Sequence, residues 1–254
     1  MKNLSISKKV HIPLIASILF GFIVVLINYI YSVDEMEKNI YLSQQKNLTS
    51  TFNEAMKVKE HIGLTNAINI AKNYSVVKAL QENNRDIAIE GLNSISNEFK
   101  TYTNYQNIKI HVHDATVHSF LRAWKPTKFG DDLSSFRKTV ISVKQTQRPL
   151  VAIELGRAGL VLRGLAPVIE SGQYLGSVEF MQGLNSIVKS MKKINDLDVV
   201  ILMKNEYLST ARSLSNAPKI NNYVLAVKEN IVNHEFLDEL QSVNISDIIE
   251  YVNN

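Results

Sequence analysis

From Val10 to Leu26 the chain is apolar at almost every position (VHIPLIASILFGFIVVL), and Ile27-Asn28-Tyr29-Ile30-Tyr31 prolongs the run. Roughly 20 such residues form a helix that spans a bilayer. A stretch apolar on every face is not a surface helix packed on a soluble core. His11 and Pro13 stand at its start, where a proline costs least. Lys2, Lys8 and Lys9 precede it, whereas Asp34, Glu35 and Glu37 follow, so the chain after Tyr31 is predicted to lie outside the membrane. A cleaved signal peptide has a shorter apolar run, ~7–15 residues, ending in small residues. Here Asn-Tyr-Ile-Tyr follows, so an uncleaved anchor is predicted, with Tyr29 and Tyr31 at the outer interface.

Beyond the anchor the apolar positions recur at three- and four-residue steps. Ile40, Leu48, Phe52 and Ala55 mark a long helix from Asp34 to about Met56, without Gly or Pro, that continues the membrane helix as a stalk. Ala67, Ile70, Ala71, Tyr74, Val77 and Leu80 form a second stripe. Ala88, Leu92, Ile95, Phe99 and Tyr102 form a third after the break at Asn83-Asn84. After Asn107 the pattern alternates. Strands are predicted at Ile108–His113, Phe120–Trp124, Leu150–Leu155, Leu160–Ala166 and Gly176–Met181, with hairpin turns at Gly156-Arg157-Ala158-Gly159 and Glu170-Ser171-Gly172-Gln173. Asp131 or Asp132 would cap a helix through Leu133, Phe136 and Val140. Leu184–Met191 reads as a short helix, Asp198–Met203 as a last, fully apolar strand, and Asn230–Val252 as weakly helical. Helices first and antiparallel strands later predict an α+β domain with helix laid on sheet.

The 254 residues leave room for one domain and an anchor. Their net charge of +4, without a Lys/Arg block, argues against nucleic acid as a partner. The absence of cysteine removes disulfides, thiolate metal sites and Cys nucleophiles. No GxSxG, HExxH, P-loop, GxGxxG or EF-hand spacing occurs, so binding rather than catalysis is expected, with no cofactor.

Candidate chemistry concentrates between His111 and Val140. His111 and His113 share one strand face, with His118 a turn away, and together with Asp114 could hold Zn or Ni. An exposed edge strand with solvated imidazoles explains them more simply, no complete ligand set is evident, and no metal site is assigned. Arg122, Trp124 and Phe120, on alternate positions, suit a small organic anion: the guanidinium binds it while the rings exclude water. A surface cation–π pair is the alternative. Arg163 interrupts GLVLRGLAPV, Glu179 interrupts GSVEFM and Glu154 interrupts LVAIEL; internal ion pairing and the lining of a ligand site both account for charges so placed. Arg137 belongs to the helix that would close over the site, unless it is simply solvated there. Gly130-Asp131-Asp132 could attract a divalent cation but reads more simply as a helix cap.

The runs SFLRAWKPTKFGDDLSSFRKTV and GLVLRGLAPVIESGQYLGSVEFMQGL resemble the extracytoplasmic Cache-type sensor domain of bacterial methyl-accepting chemotaxis proteins. Related sensors also front histidine kinases and diguanylate cyclases. The resemblance implies an inner-membrane protein, single-pass as given, with a PAS-like sensor in the periplasm. Residues 1–9 would be cytoplasmic, 10–31 transmembrane, 32–82 a long periplasmic helix and 83–254 the sensor, truncated at its C-terminal end. It implies a small anionic or amino-acid-like ligand, with Arg122, Trp124, Arg163 and Glu179 as the main ligand-binding positions and Arg137 and Glu154 as weaker ones. A homodimer, paired through the stalk, is expected, and a chemotaxis kinase complex only through a cytoplasmic part absent from this sequence. A non-signalling remnant is the remaining reading.

Overall fold

In a computed structural model, which describes residues 6–103, 109–245 and 247–248, helix α1 runs unbroken over Ile6–Ala71. It begins before Val10, so Pro13 lies about two turns inside it rather than at its start. The chain divides into two units, Met1–Glu54 and Ala55–Asn254. In the first, the side chains from Val10 to Tyr31 are exposed, and this is the one helix among the described residues long and apolar enough to cross a membrane. Lys2, the start of a strand at Ile108 and the helical tail to Val252 lie outside the described residues or extend beyond them.

The second unit starts with the last turns of α1. The stripe from Ala67 to Leu80 is not one helix: Asn73 interrupts it, its side chain accepting from the Ser75 N–H at 3.0 Å to cap α2 (Tyr74–Gln81). Asn83, at φ 51°, and Asn84, which accepts from the Asp86 N–H, then separate α2 from α3 (Arg85–Tyr102), where the sequence predicted a break. Strands β1 (Lys109–Asp114), β2 (Ser119–Arg122), β3 (Leu150–Gly156), β4 (Gly159–Glu170) and β5 (Gln173–Gly183) form an antiparallel sheet in the order β2-β1-β5-β4-β3. Both predicted hairpins occur. Gly156 pairs with Gly159, and Glu170 with Gln173 across Ser171 and Gly172, whose φ values of 50° and 79° are those of a type I′ turn.

One face of this sheet carries the apolar core. Ile110, Val112, Leu121, Ala166, Val168, Val178 and Phe180 pack on Ala67, Ile70, Val76, Ala79, Ala88 and Leu92 of α1–α3. Where α1 crosses β4, Gly63 meets Gly164 so closely that a Cβ on Gly164 would overlap the Gly63 carbonyl oxygen. Nearby, Lys59 is buried, its ammonium donating to Ser186 Oγ at 2.6 Å and to Gln182 Oε1 at 3.3 Å. Burial pulls its pKa down from 10.5 to about 8. The unfolded chain therefore binds more protons between those values, and stability should rise with pH across that window. Denaturant midpoints at its two ends should show this rise, and Lys59→Met should lack it.

Four expectations are corrected. The register slips between Val112 and His113, leaving Phe120 as an extra residue of β2, so Phe120 and Leu121 both enter the helical core. Helix α4 (Lys138–Thr146) starts later than Asp131-Asp132. Asp132 instead accepts from the Ser134 N–H at 2.8 Å and lies in a bridge to His118, closing a loop. Helix α5 (Asn185–Asn195) runs past Met191 and ends at Asp196, at φ 51°. Of DVVILM only the end pairs, as β6 (Leu202–Lys204), at the edge of a small sheet with β8 (Tyr223–Leu225) and β7 (Lys219–Ile220). Within the tail read as weakly helical, α6 spans His234–Ser242.

Candidate functional site

The sheet face turned away from α1–α3 is polar at its centre. Strand alternation brings His111, His113, Ser119, Arg163, Ser177 and Glu179 to it, with His111 opposite Glu179 and His113 opposite Ser177. Glu179 sits on β5 between β1 and β4 and is 0% exposed. A carboxylate in that position must be paired.

Its partners arrive from two elements. Arg163 of β4 donates from Nη1, and Arg137, just before α4, from Nη2, each to Oε1 at 2.6 Å. Glu154 of β3 places Oε2 3.2 Å from Arg137 Nη2 and 3.3 Å from Arg163 Nε. Two guanidinium groups and two carboxylates thus share one buried spot with no net charge. Burial alone would raise the Glu179 carboxyl, but His111 and the charges of Arg137 and Arg163 outweigh it and hold it well below the ordinary carboxylate range. Burial lowers Arg137, but the two glutamates more than restore it and leave it above its ordinary value.

On the other side of Glu179 stand the two histidines. His111 Nδ1 is 3.5 Å and His113 Nε2 3.7 Å from Oε2. The far nitrogens are taken: His111 Nε2 shares a hydrogen bond with Ser119 Oγ at 2.8 Å, and His113 Nδ1 with Ser177 Oγ at 2.9 Å. Burial pushes both imidazoles down, His113 further, with His111 adding to it. They are neutral at pH 7.

This cluster is incompletely satisfied. Among the described residues, seven buried side-chain polar atoms lack a hydrogen-bond partner, and four belong here: His113 Nε2, Arg137 Nε, Arg163 Nε and Glu179 Oε2. A buried polar atom without any partner costs about 1–3 kcal/mol, eased at Arg163 Nε by the Glu154 carboxylate 3.3 Å away. Polar groups of that kind, gathered on a rigid sheet, are what an incoming polar ligand can complete.

Of the residues singled out from the sequence, Arg163, Glu179, Arg137 and Glu154 come together. The structure does not join Arg122 to them: its Nη2 donates to Asp131 Oδ2 at 2.8 Å and its Nη1 to the Lys128 carbonyl at 2.9 Å. Trp124 lies beyond the end of β2, 41% exposed, edge-on to His111 with ring centroids 5.8 Å apart. Both therefore border the cluster, and the bulge at Phe120 removes the third member of the expected trio. His118 is not near the other two histidines' site. It is half-buried, bonded to Thr116 Oγ1 at 2.9 Å. The reading of His111 and His113 as solvated edge residues is overturned, since β1 is interior and they are 3% and 0% exposed. Their signal in the sequence was the two-residue spacing opposite a strand carrying Glu179. Together, His111, His113 and Glu179 can offer three ligand atoms within 4.8 Å of one another.

The profile of the double Cache family described as the double sensory domain of two-component sensor kinase matches residues 41–249. The chain belongs to this family. The matched stretch is accordingly a double sensory domain. No curated protein matches it. Among solved structures it is similar to the sensor domain of the Vibrio cholerae histidine kinase DctB, at 13% identity and TM-score 0.48, over 66% of this chain and 64% of that one. The Campylobacter jejuni chemoreceptor Tlp3 ligand-binding domain, in complex with 4-methylisoleucine, is similar at 11% identity and TM-score 0.45, over 66% and 71%. The periplasmic domain of V. cholerae LuxQ gives 12% identity and TM-score 0.40, over 61% and 71%. The chain thus spans less than two thirds of the DctB sensor domain, the first of these.

Proposed function

We propose that the chain is the extracytoplasmic ligand-sensing part of an inner-membrane receptor, anchored by the apolar part of α1, and that its site is the Arg137–Arg163–Glu154–Glu179 cluster bordered by Arg122 and Trp124. The incomplete hydrogen bonding of that cluster carries the reading. Because the four charges cancel, a ligand bearing both a carboxylate and an ammonium can exchange with an Arg–Glu contact without leaving a buried charge unpaired. A bare dicarboxylate cannot. An amino-acid-like metabolite is therefore the favoured class.

The output is a separate matter. The family's description names two-component sensor kinases and supports a kinase output. The runs from Ser119 to Val140 and from Gly159 to Leu184 resemble methyl-accepting receptors and support a chemotaxis output, with pairing of α1 between two copies in either case.

Thermal unfolding of the full chain in detergent, screened with amino acids and small carboxylates, tests the site. Ligand at 100 times its Kd adds about 2.7 kcal/mol, which for a domain of this size is a rise of about 5–10 °C. At least one zwitterionic compound should give such a rise, and if no compound moved the transition the proposal would be refuted.

A further inference from the structure

We propose that His111, His113 and Glu179 form a binding site for a divalent transition-metal ion of borderline softness, such as Zn, Co or Ni. The site does not depend on the organic-ligand reading, since Arg137 and Arg163 use Glu179 Oε1 whereas the ion would use Oε2.

Three observations support it. The first is spacing. Ligand atoms around a tetrahedral ion at about 2.0–2.1 Å stand about 3.3 Å apart. His111 Nδ1 and His113 Nε2 are 3.5 and 3.7 Å from Glu179 Oε2, within a few tenths of an ångström of that separation. Both distances are long for a hydrogen bond, so the rings hold the carboxylate oxygen only weakly. The second is lack of satisfaction. His113 Nε2 and Glu179 Oε2 are buried without hydrogen-bond partners and lie 3.7 Å apart.

The third is orientation. Each ring is held through its far nitrogen by a buried serine, His111 by Ser119 and His113 by Ser177, which fixes the orientation of the ring and leaves its other nitrogen facing Glu179. Metal-binding histidines are held in this way by their outer partners. Glu179 has its equivalent in the two guanidinium groups on Oε1. The neighbouring arginines oppose any cation, so an ion must be held by the two imidazole nitrogens, which favour a transition metal over Mg or Ca. Three protein ligands leave a fourth position for a water molecule or a ligand group.

The test uses the full chain in detergent, purified without a histidine tag, stripped with chelator and titrated with Co(II). One ion per chain is expected, with the intense ligand-field absorption of a tetrahedral site. His111→Gln should abolish that absorption, and Ser177→Ala should weaken binding about 10- to 100-fold. His118→Ala should leave both unchanged. Each variant's thermal transition shows that it is folded. If His111→Gln disturbs folding, Ser177→Ala and His118→Ala still decide. No stoichiometric ion, or an ion lost in His118→Ala and kept in Ser177→Ala, would overturn the site. Neither result alters the amino-acid screen.

Discussion

Glu179→Ala is expected to remove a large part of the stability of the sensory domain. The change leaves Arg137 and Arg163 buried with only Glu154 between them. Breaking a buried pair by deleting one partner costs about 3–5 kcal/mol, against a total of about 5–15 kcal/mol for a domain. The denaturant midpoint should fall accordingly. The loss should be smaller in the double variant Glu179→Met with Arg163→Met than the two single losses added, because the partners act as a unit. There is also a pH signature. The Glu179 carboxyl is held well below its ordinary value, so its contribution is full above the ordinary carboxylate range. It is lost as pH falls through the folded-state value. The variant should have a flatter acid limb.

Gly164→Ala is expected to have the second-largest effect, for a reason unrelated to charge. The added methyl would meet the Gly63 carbonyl and the Leu64 nitrogen, which are helix backbone and cannot rotate away. Relief requires α1 and β4 to separate, and overpacking of this kind costs about 1–3 kcal/mol or more. Gly63→Ala points instead at the end of the Gln182 side chain and should be milder, and at Gly183 an added Cβ meets nothing within 4 Å. The order Gly164, Gly63, Gly183 in thermal transition loss is the expected outcome.

These two residues show what the sequence could and could not disclose. Glu179, Arg163 and Glu154 were legible because a charge inside an apolar alternating strand has few physical explanations, and they converge. The hairpins were legible because a type I′ turn needs residues that tolerate positive φ, and Ser171-Gly172 supplies them. The α+β order followed from the change of period after Asn107. The order of strands in the sheet did not. Alternation cannot tell an edge strand from an interior one, so it does not disclose that β1 lies between β2 and β5 and that His111 and His113 are buried.

Arg122 was grouped with Phe120 because a period of two was carried through a bulge that only the pairing of Val112 and His113 reveals. Asp132 can cap a helix or close a turn, and the choice was made by the bridge to His118, fourteen positions earlier in the chain. The contact of Gly164 with Gly63 is likewise non-local. Arg137 was assigned to a helix that begins one residue after it, yet its side chain still reaches Glu179.

On the function proposed above, the sensory face binds its ligand through the arginine–glutamate cluster. Equilibrium titration of the full chain with the compound that raises the thermal transition most, in the parent and in folded Arg163→Lys and Arg148→Ala, tests it most directly. Arg163→Lys keeps the charge but loses the paired donors, and a charge-assisted hydrogen bond is worth about 1.5–3 kcal/mol. Its Kd should rise by about 10-fold or more. The exposed Arg148 should be replaceable without effect. An Arg163→Lys variant that is folded and binds as tightly as the parent would contradict the claim.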